Sequence, residues 1–293
     1  QKKSRMLRLT LMGGQARVFL CDTTEMAQQA RDIHEASNTC SAAMGRMLAA
    51  TAIMGANLKS DGDRITATIN GGGPAGPICA IAGPDGTVKV TIEHPEVELP
   101  LKPNGKLDVG GAVGCHGRLS VVKDLGLKEP YVGQSNLVSG EIGEDLALYF
   151  TASEQTPSMV SLGVLVAPQG PVLSAGGVIV QAMPGCSEEV LSALEGKALA
   201  DISRQLLQAQ GLEDMLTGLF GDLEPEILGA GEPCWRCDCG RERIERALIS
   251  LGRQELDEMI EQDGGAQVSC HFCNQAYDFT AAQLQALREE ATR

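Results

Sequence analysis

Half of the chain's ten cysteines fall within its last sixty residues. "CWRCDCGRER" carries Cys234, Cys237 and Cys239, and "SCHFCNQAYDF" carries Cys270 and Cys273. Two close pairs of thiols about thirty residues apart are the spacing of a tetrahedral zinc site, because each short pair can turn both sulfurs toward one ion. Iron would accept the same sulfurs, but zinc is the commoner guest. Spacing alone leaves the near pair open. Cys234 with Cys237 gives CxxC…CxxC, whereas Cys237 with Cys239 gives CxC…CxxC. His271 lies between two candidate ligands, but four cysteines already suffice. The other cysteines, Cys21, Cys40, Cys79, Cys115 and Cys186, are scattered singly. Such usage fits thiols and metal ligands better than a structural disulfide framework.

The elements that must position these thiols are small. "RERIERALISLG" and "RQELDEMIEQDG" read as helices ended by Gly252 and Gly264, "AYDF" as a short strand, and Thr280 as the cap of a final helix, "AAQLQALREE". A unit of this size with few large apolar residues needs a metal or a disulfide to hold it. Arg236, Arg241 and Arg243 lie nearby in sequence and would favour thiolate anions.

The composition narrows the function. Against 24 Lys+Arg stand 38 Asp+Glu, a formal charge of −14, and 43% of the residues are hydrophobic. An acidic chain repels phosphate backbones and anionic membranes. Its nine aromatic residues make a base-stacking platform a poor expectation. The basic start, "QKKSRMLRLTLMGGQ", has an apolar run too short for a secretory signal, and the lack of an initiator Met reads as a trimmed start. Residues 155–187 carry no charge, but Pro157, Pro168, Pro171 and Pro184 break them, so they read as two buried strands joined by a turn, not as a membrane span.

Residues 1–186 read as an α+β core domain. Thr23 or Thr24 caps a helix over "TTEMAQQARDIHEA", and "SAAMGRMLAATAIMGANL" is a buried helix, core rather than client surface. "RITATIN", "ICAIAG", "TVKVTIE", "RLSVVKD" and "LALYF", with the uncharged hairpin, predict a sheet of seven or more strands. Residues 187–233 differ in kind: ten acidic side chains face two basic ones, for a net charge of −8. Leu191, Leu194, Leu199, Ile202 and Leu206 recur at helical spacing after Ser187, a plausible cap. Glycines cut these helices short, so the segment reads as an acidic helical linker, folded but weakly held. Residues 234–293 form the cysteine-bearing domain.

Two other motifs are weaker. "GGGPAG" follows a strand as a phosphate loop would, but Pro74 and the strand after it favour a turn. Cys115 and His116 suggest a nucleophile and base, yet neighbours on a strand point to opposite faces, so Cys115 reads as a buried bystander.

"CDCGRER", "CHFCNQAYDF" and the helical "ERALISLGRQELDEMI" between them resemble the 33 kDa chaperonin family (heat shock protein 33). "GRMLAATAIMGANLK", "INGGGPAGPI", "GRLSVVKDLG", "YFTASEQTPS" and "GGVIVQAMPG" are similar to that family's core pattern, so the likeness covers essentially the whole chain. The resemblance implies a redox-switched, ATP-independent holdase of the bacterial cytoplasm, active under oxidative and heat stress, and not an enzyme. It implies one Zn2+ held by Cys237, Cys239, Cys270 and Cys273 in the reduced, inactive form. On oxidation it implies disulfides Cys237–Cys239 and Cys270–Cys273 with release of the metal. Unfolding client proteins, a homodimer on activation and hand-over to an ATP-dependent foldase are the implied partners, with no nucleic acid or membrane. Cys234 has no place in that motif. A thiol–disulfide oxidoreductase using Cys270 and Cys273, or a zinc-ribbon interaction module, are the rival readings. Segment 234–273 holds five Arg and eight acidic residues, which fits nucleic acid poorly.

Overall fold

The computed structural model describes residues 3–197 and 199–291. The chain divides into two compact units, Gln1–Arg236 and Cys237–Arg293. The first runs β1 (Arg5–Leu11), β2 (Ala16–Asp22), α1 (Thr24–His34), α2 (Asn38–Gly55), β3 (Arg64–Asn70), β4 (Ile78–Ala82), β5 (Thr87–Ile92), α3 (Val109–Val113), β6 (Arg118–Asp124) and β7 (Tyr131–Asn136). It continues through α4 (Gly143–Ala152), β8 (Ser158–Val166), β9 (Val172–Ala182), α5 (Glu188–Glu195), α6 (Ile202–Gln208), α7 (Leu212–Phe220), β10 (Glu226–Gly231) and β11 (Cys234–Trp235).

The strands form two sheets, ordered β10-β1-β2-β9-β8 and β11-β5-β4-β3-β6-β7, where the sequence suggested one. Between them lies α2, capped by the Ser37 hydroxyl, which accepts from the Cys40 amide. Every residue of α2 except Asn38 and Arg46 is buried, and the helix meets strands of both sheets. Small side chains, mostly alanine, let the two sheets approach it closely. The expected core helix is therefore core. β8 and β9 pair antiparallel, Ser158 opposite Gln181 through Val166 opposite Val172, as the uncharged hairpin predicted. No helix among the described residues is long and apolar enough to cross a membrane.

"LALYF" is not a strand. It lies in α4, with Leu146, Tyr149 and Phe150 buried on one helical face. The buried carboxylate of Asp145 accepts the amides of Val138, Ser139, Gly140 and Ile142, and so ties the preceding loop to the helix start.

The acidic segment packs on the five-stranded sheet. Val190, Leu194, Leu199, Ile202, Leu206, Leu212, Met215, Leu216, Leu219 and Phe220 share a core with Leu7, Leu9 and Leu11 of β1 and with Val18, Leu20, Val178 and Val180. Ser187 caps α5 through the Val190 amide. Around α6 the backbone comes very close: a Cβ on Gly163 would lie 2.8 Å from both Ile202 Cγ2 and the Ser203 amide nitrogen. Ser161 and Ser174 donate hydroxyl hydrogen bonds to the Leu199 and Ser203 carbonyls, and Lys106 pairs with Asp201. Beyond its three helices the same segment supplies β10.

The second unit contains α8 (Arg241–Leu251), α9 (Arg253–Asp263), β12 (Gly265–Ser269), β13 (Ala276–Thr280) and α10 (Ala281–Glu290). Gly264, at φ 65°, closes α9, and Thr280 forms a capping box with Gln283. Among the described residues its buried apolar core is Leu248, Leu256, Phe279, Leu284, Leu287 and Ala291.

Candidate metal centre

Two loops of the second unit bring four thiols together. Cys237 and Cys239 precede α8 in an extended stretch, and Gly240 at its end leads directly into that helix. Cys270 and Cys273 occupy the turn of the β12–β13 hairpin, closed by the Cys270 amide to the Gln275 carbonyl and the Asn274 amide to the Cys270 carbonyl. Asn274, at φ 57°, supplies the left-handed residue that this turn needs.

The four Sγ atoms all lie within 4.8 Å of one another. Cys237 Sγ is 3.7 Å from Cys270 Sγ, and Cys239 Sγ is 3.3 Å from Cys273 Sγ. Metal–sulfur bonds of about 2.3 Å in a tetrahedron give sulfur–sulfur edges of about 3.8 Å. The group therefore fits a metal ion with a thiolate preference, zinc included. Cys270 is buried and the other three are half-buried, so the cluster is shielded without being sealed.

Sequence reasoning missed Tyr277. Its hydroxyl lies 3.2 Å from Cys239 Sγ. Burial works to raise the Cys239 thiol, but the Tyr277 hydroxyl and the neighbouring thiols outweigh it and hold the group below its ordinary value. Burial pushes Cys273 up, opposed by the Gln275 amide and reinforced by Cys239. Tyr277 itself is pushed up to about 12, first by its hydrogen bond to Cys239. The expected arginines are occupied elsewhere: Arg236 pairs with Asp85, Arg243 with Asp238, and Arg241 with Glu245 while covering the Phe279 ring. The one signal for Tyr277 was its place on the strand just after Cys273.

The remaining candidates separate from this group. Cys234 is exposed in the first unit, on β11 opposite Thr87 of β5. His271 is exposed on the hairpin turn, outside the group of four. "GGGPAG" is a turn whose Gly73 and Ala75 amides are spent on the Val113 and Ala112 carbonyls, leaving no cradle for phosphate. Cys115 departs from expectation: it is exposed in the loop before β6, and its Sγ lies 3.3 Å from His116 Nδ1. The opposite-faces rule failed there because the residues are not on a strand.

A family model described as Hsp33 protein matches residues 4–280. The chain is 45% identical over 289 residues to the 33 kDa chaperonin of Alkaliphilus metalliredigens, covering 98% of this chain and 99% of that one. It is 43% identical over 282 residues to the 33 kDa chaperonin of Bacillus subtilis, 96% of each chain. The crystal structure of the 33 kDa chaperonin (heat shock protein 33 homolog) of Thermotoga maritima matches at 36% identity with a TM-score of 0.90, covering 99% of both chains. Likeness of that extent spans both compact units, and it places this chain in the Hsp33 family of 33 kDa chaperonins.

Proposed function

We propose that the chain is a redox-regulated, ATP-independent holdase, which captures unfolding proteins in the cytoplasm under oxidative and heat stress and is inactive while reduced. The observation that carries this reading is the gathering of Cys237, Cys239, Cys270 and Cys273 on two short loops of a module with a small apolar core. These four residues would hold one zinc ion. When bound, it supplies a fourfold cross-link between the loops and keeps the sulfurs as thiolates, worth about 10–16 kcal/mol in modules of this kind. That is comparable with the whole stability of a typical domain, about 5–15 kcal/mol. The module's own core is too small to replace it.

Oxidation changes the sulfurs. Within each pair, one sulfur attacks hydrogen peroxide to give a sulfenic acid and one water. The second sulfur then displaces the hydroxyl group as a second water and closes the disulfide, so two thiols give up two electrons and two protons. Cys237 pairs with Cys239, and Cys270 with Cys273. Neither disulfide is a metal ligand, and the module loses its cross-link and unfolds.

The linker responds next. Its helices are seven to nine residues long, too short to persist alone. When it leaves the sheet, it uncovers Leu7, Leu9, Leu11, Val18, Leu20, Val178 and Val180, together with its own Leu191, Leu194, Ile202 and Leu206, and adds them to Leu207, which is already 49% exposed in the docked linker. Exposed apolar surface of that extent binds unfolding clients, and the linker's acidity keeps the complex soluble. Dimerisation of the activated form and transfer of clients to an ATP-dependent foldase complete the cycle.

The test follows zinc release and suppression of a thermally unfolding client's aggregation during peroxide treatment. Both should rise together and reverse with reductant. Catalytic turnover of a disulfide substrate without stoichiometric client binding would show an oxidoreductase instead.

A further inference from the structure

β10 is one of the two edge strands of the five-stranded sheet, and it fills its place poorly. It pairs antiparallel with β1, setting Met6 opposite Gly231, Leu7 opposite Ala230, Arg8 opposite Gly229 and Leu9 opposite Ile227. The register slips between Arg8 and Leu9, so Leu228 is the extra residue of a bulge that interrupts the ladder. Its two large apolar side chains bury little, with Ile227 48% and Leu228 54% exposed. Glycine within a strand weakens it further.

Residues directly opposite in an antiparallel pair project from the same face. On the face that β1 presents through Met6 and Arg8, both facing positions of β10 are glycines. Beside them lies a cavity of about 270 Å³, walled by Met6, Ala52, Ala56 and Pro84 together with the charged Arg8, Asp85 and Glu232. Neither the backbone nor the packing requires glycine there. Gly229 and Gly231 are absent from the positive-φ residues. A Cβ on Gly231 would meet nothing within 4 Å, and one on Gly229 would meet only the end of the Arg8 side chain, 3.3 Å away. The strand is thus undersized for its site.

The charges at this edge point the same way. Lys3 and Arg5 are neutralised by Glu232 and Glu213, at 3.8 and 2.7 Å, and both carboxylates belong to the acidic segment 187–233. If that segment leaves, a basic edge remains.

We propose that β1 is a client-binding edge and that β10 is a placeholder, replaced by an extended segment of an unfolding protein. The inference rests on the holdase reading, since it requires the segment 187–233 to loosen. The incoming strand completes the main-chain ladder, which reads no sequence and therefore suits varied clients. It sets aliphatic side chains at two positions two residues apart into the cavity that the glycines leave empty. Acidic residues near its end replace Glu213 and Glu232.

The probe is a fluorescein-labelled eight-residue peptide with valine at the two inward positions and glutamate at the end facing Lys3. Two analogues carry glycine at the inward positions, or N-methyl groups on the amides that would face β1. Oxidised protein is expected to bind the valine peptide about tenfold more tightly than either analogue. Hydrogen exchange at the amides of residues 6–9 that face β10 rather than β2 should be slow in reduced protein, fast after oxidation and slow again with the valine peptide bound. The double variant G229V/G231V makes β10 a better occupant. It should weaken peptide binding about tenfold while its thiols oxidise to completion. Equal binding of the N-methylated peptide overturns strand replacement, as does a β1 edge left unprotected with the peptide bound. Concentration-dependent protection of β1 in oxidised, peptide-free protein would put a second copy's β10 in the edge, against the proposal. If any of these occurs while the oxidised chain still suppresses aggregation, the holdase reading stands without this inference. If it suppresses none, the holdase reading itself fails and this inference with it.

Discussion

The hydroxyl of Tyr277 lies 3.2 Å from Sγ of Cys239, joining β13 to the loop that opens α8. An O–H group donating to a thiolate stabilises the anion and orients the sulfur, as outer partners of metal ligands generally do. Tyr277→Phe removes the hydroxyl and keeps the ring. It is expected to weaken zinc affinity about tenfold, the low end of such effects, with the fold of the loaded module retained. Competition against a chromogenic zinc chelator measures this, and unchanged affinity would show that the contact does not support the site.

Each of the two loops contributes two thiolates to the expected ligand set. Cys273→Ser and Cys239→Ser should each abolish tight zinc binding, because three thiolates leave the site open. Cys234→Ser should leave zinc content and switching nearly intact, since Cys234 lies on β11, exposed and in the other unit. Metal analysis of the purified variants decides the matter. Loss of zinc in Cys234→Ser with retention in Cys239→Ser would assign the near pair as CxxC.

Acid should undo the module. Bound metal requires thiolates, so it depresses the folded-state pKa of its ligands below the value of about 8.5 for a free thiol. Stability from such groups is present above the unfolded pKa and is lost as pH falls through the folded one. Circular dichroism and zinc release, followed while zinc-loaded protein is acidified from neutral pH, should show helix loss and metal loss together. Metal-free protein should lack that transition.

Gly163 admits α6 to the sheet. Gly163→Val adds a side chain where the Cβ alone would lie 2.8 Å from Ile202 Cγ2 and the Ser203 nitrogen. Overpacking of this kind costs about 1–3 kcal/mol, and here it falls on the docking of the linker. The reduced variant is expected to suppress client aggregation partially without oxidation and to exchange its amides at 199–208 faster than the parent. Full dependence on oxidant would show that α6 docking does not hold the protein inactive.

Long or punctuated elements were legible in the sequence. The buried α2, the β8–β9 hairpin, the caps at Ser187 and Thr280, and the four clustered cysteines all carry local signals: periodicity, turn residues or ligand spacing. "LALYF" was misread because a five-residue apolar run has no period that separates strand from helix. What decides it is the Asp145 carboxylate gathering four amides from the loop before α4. β1 and β10 carry no local strand signal: the first reads as a basic, broken apolar run, and the second as the glycine-rich end of a helical segment. Their pairing is a contact between residues more than two hundred positions apart. At the start of α1, Thr23 makes no side-chain cap, while Asp22 accepts from the Thr24 amide and hydroxyl. Tyr277 carries only the weak signal of its place after Cys273, since it is the folded hairpin that brings it to Cys239.

Everything proposed for the switch depends on the acidic segment letting go when the cysteines are oxidised. Hydrogen exchange, compared between reduced zinc-loaded and peroxide-oxidised protein, tests that step directly. Amides in 187–233 should lose protection on oxidation, while those of β8 and β9 keep theirs. A chaperone-active oxidised sample with unchanged protection in 187–233 would contradict it.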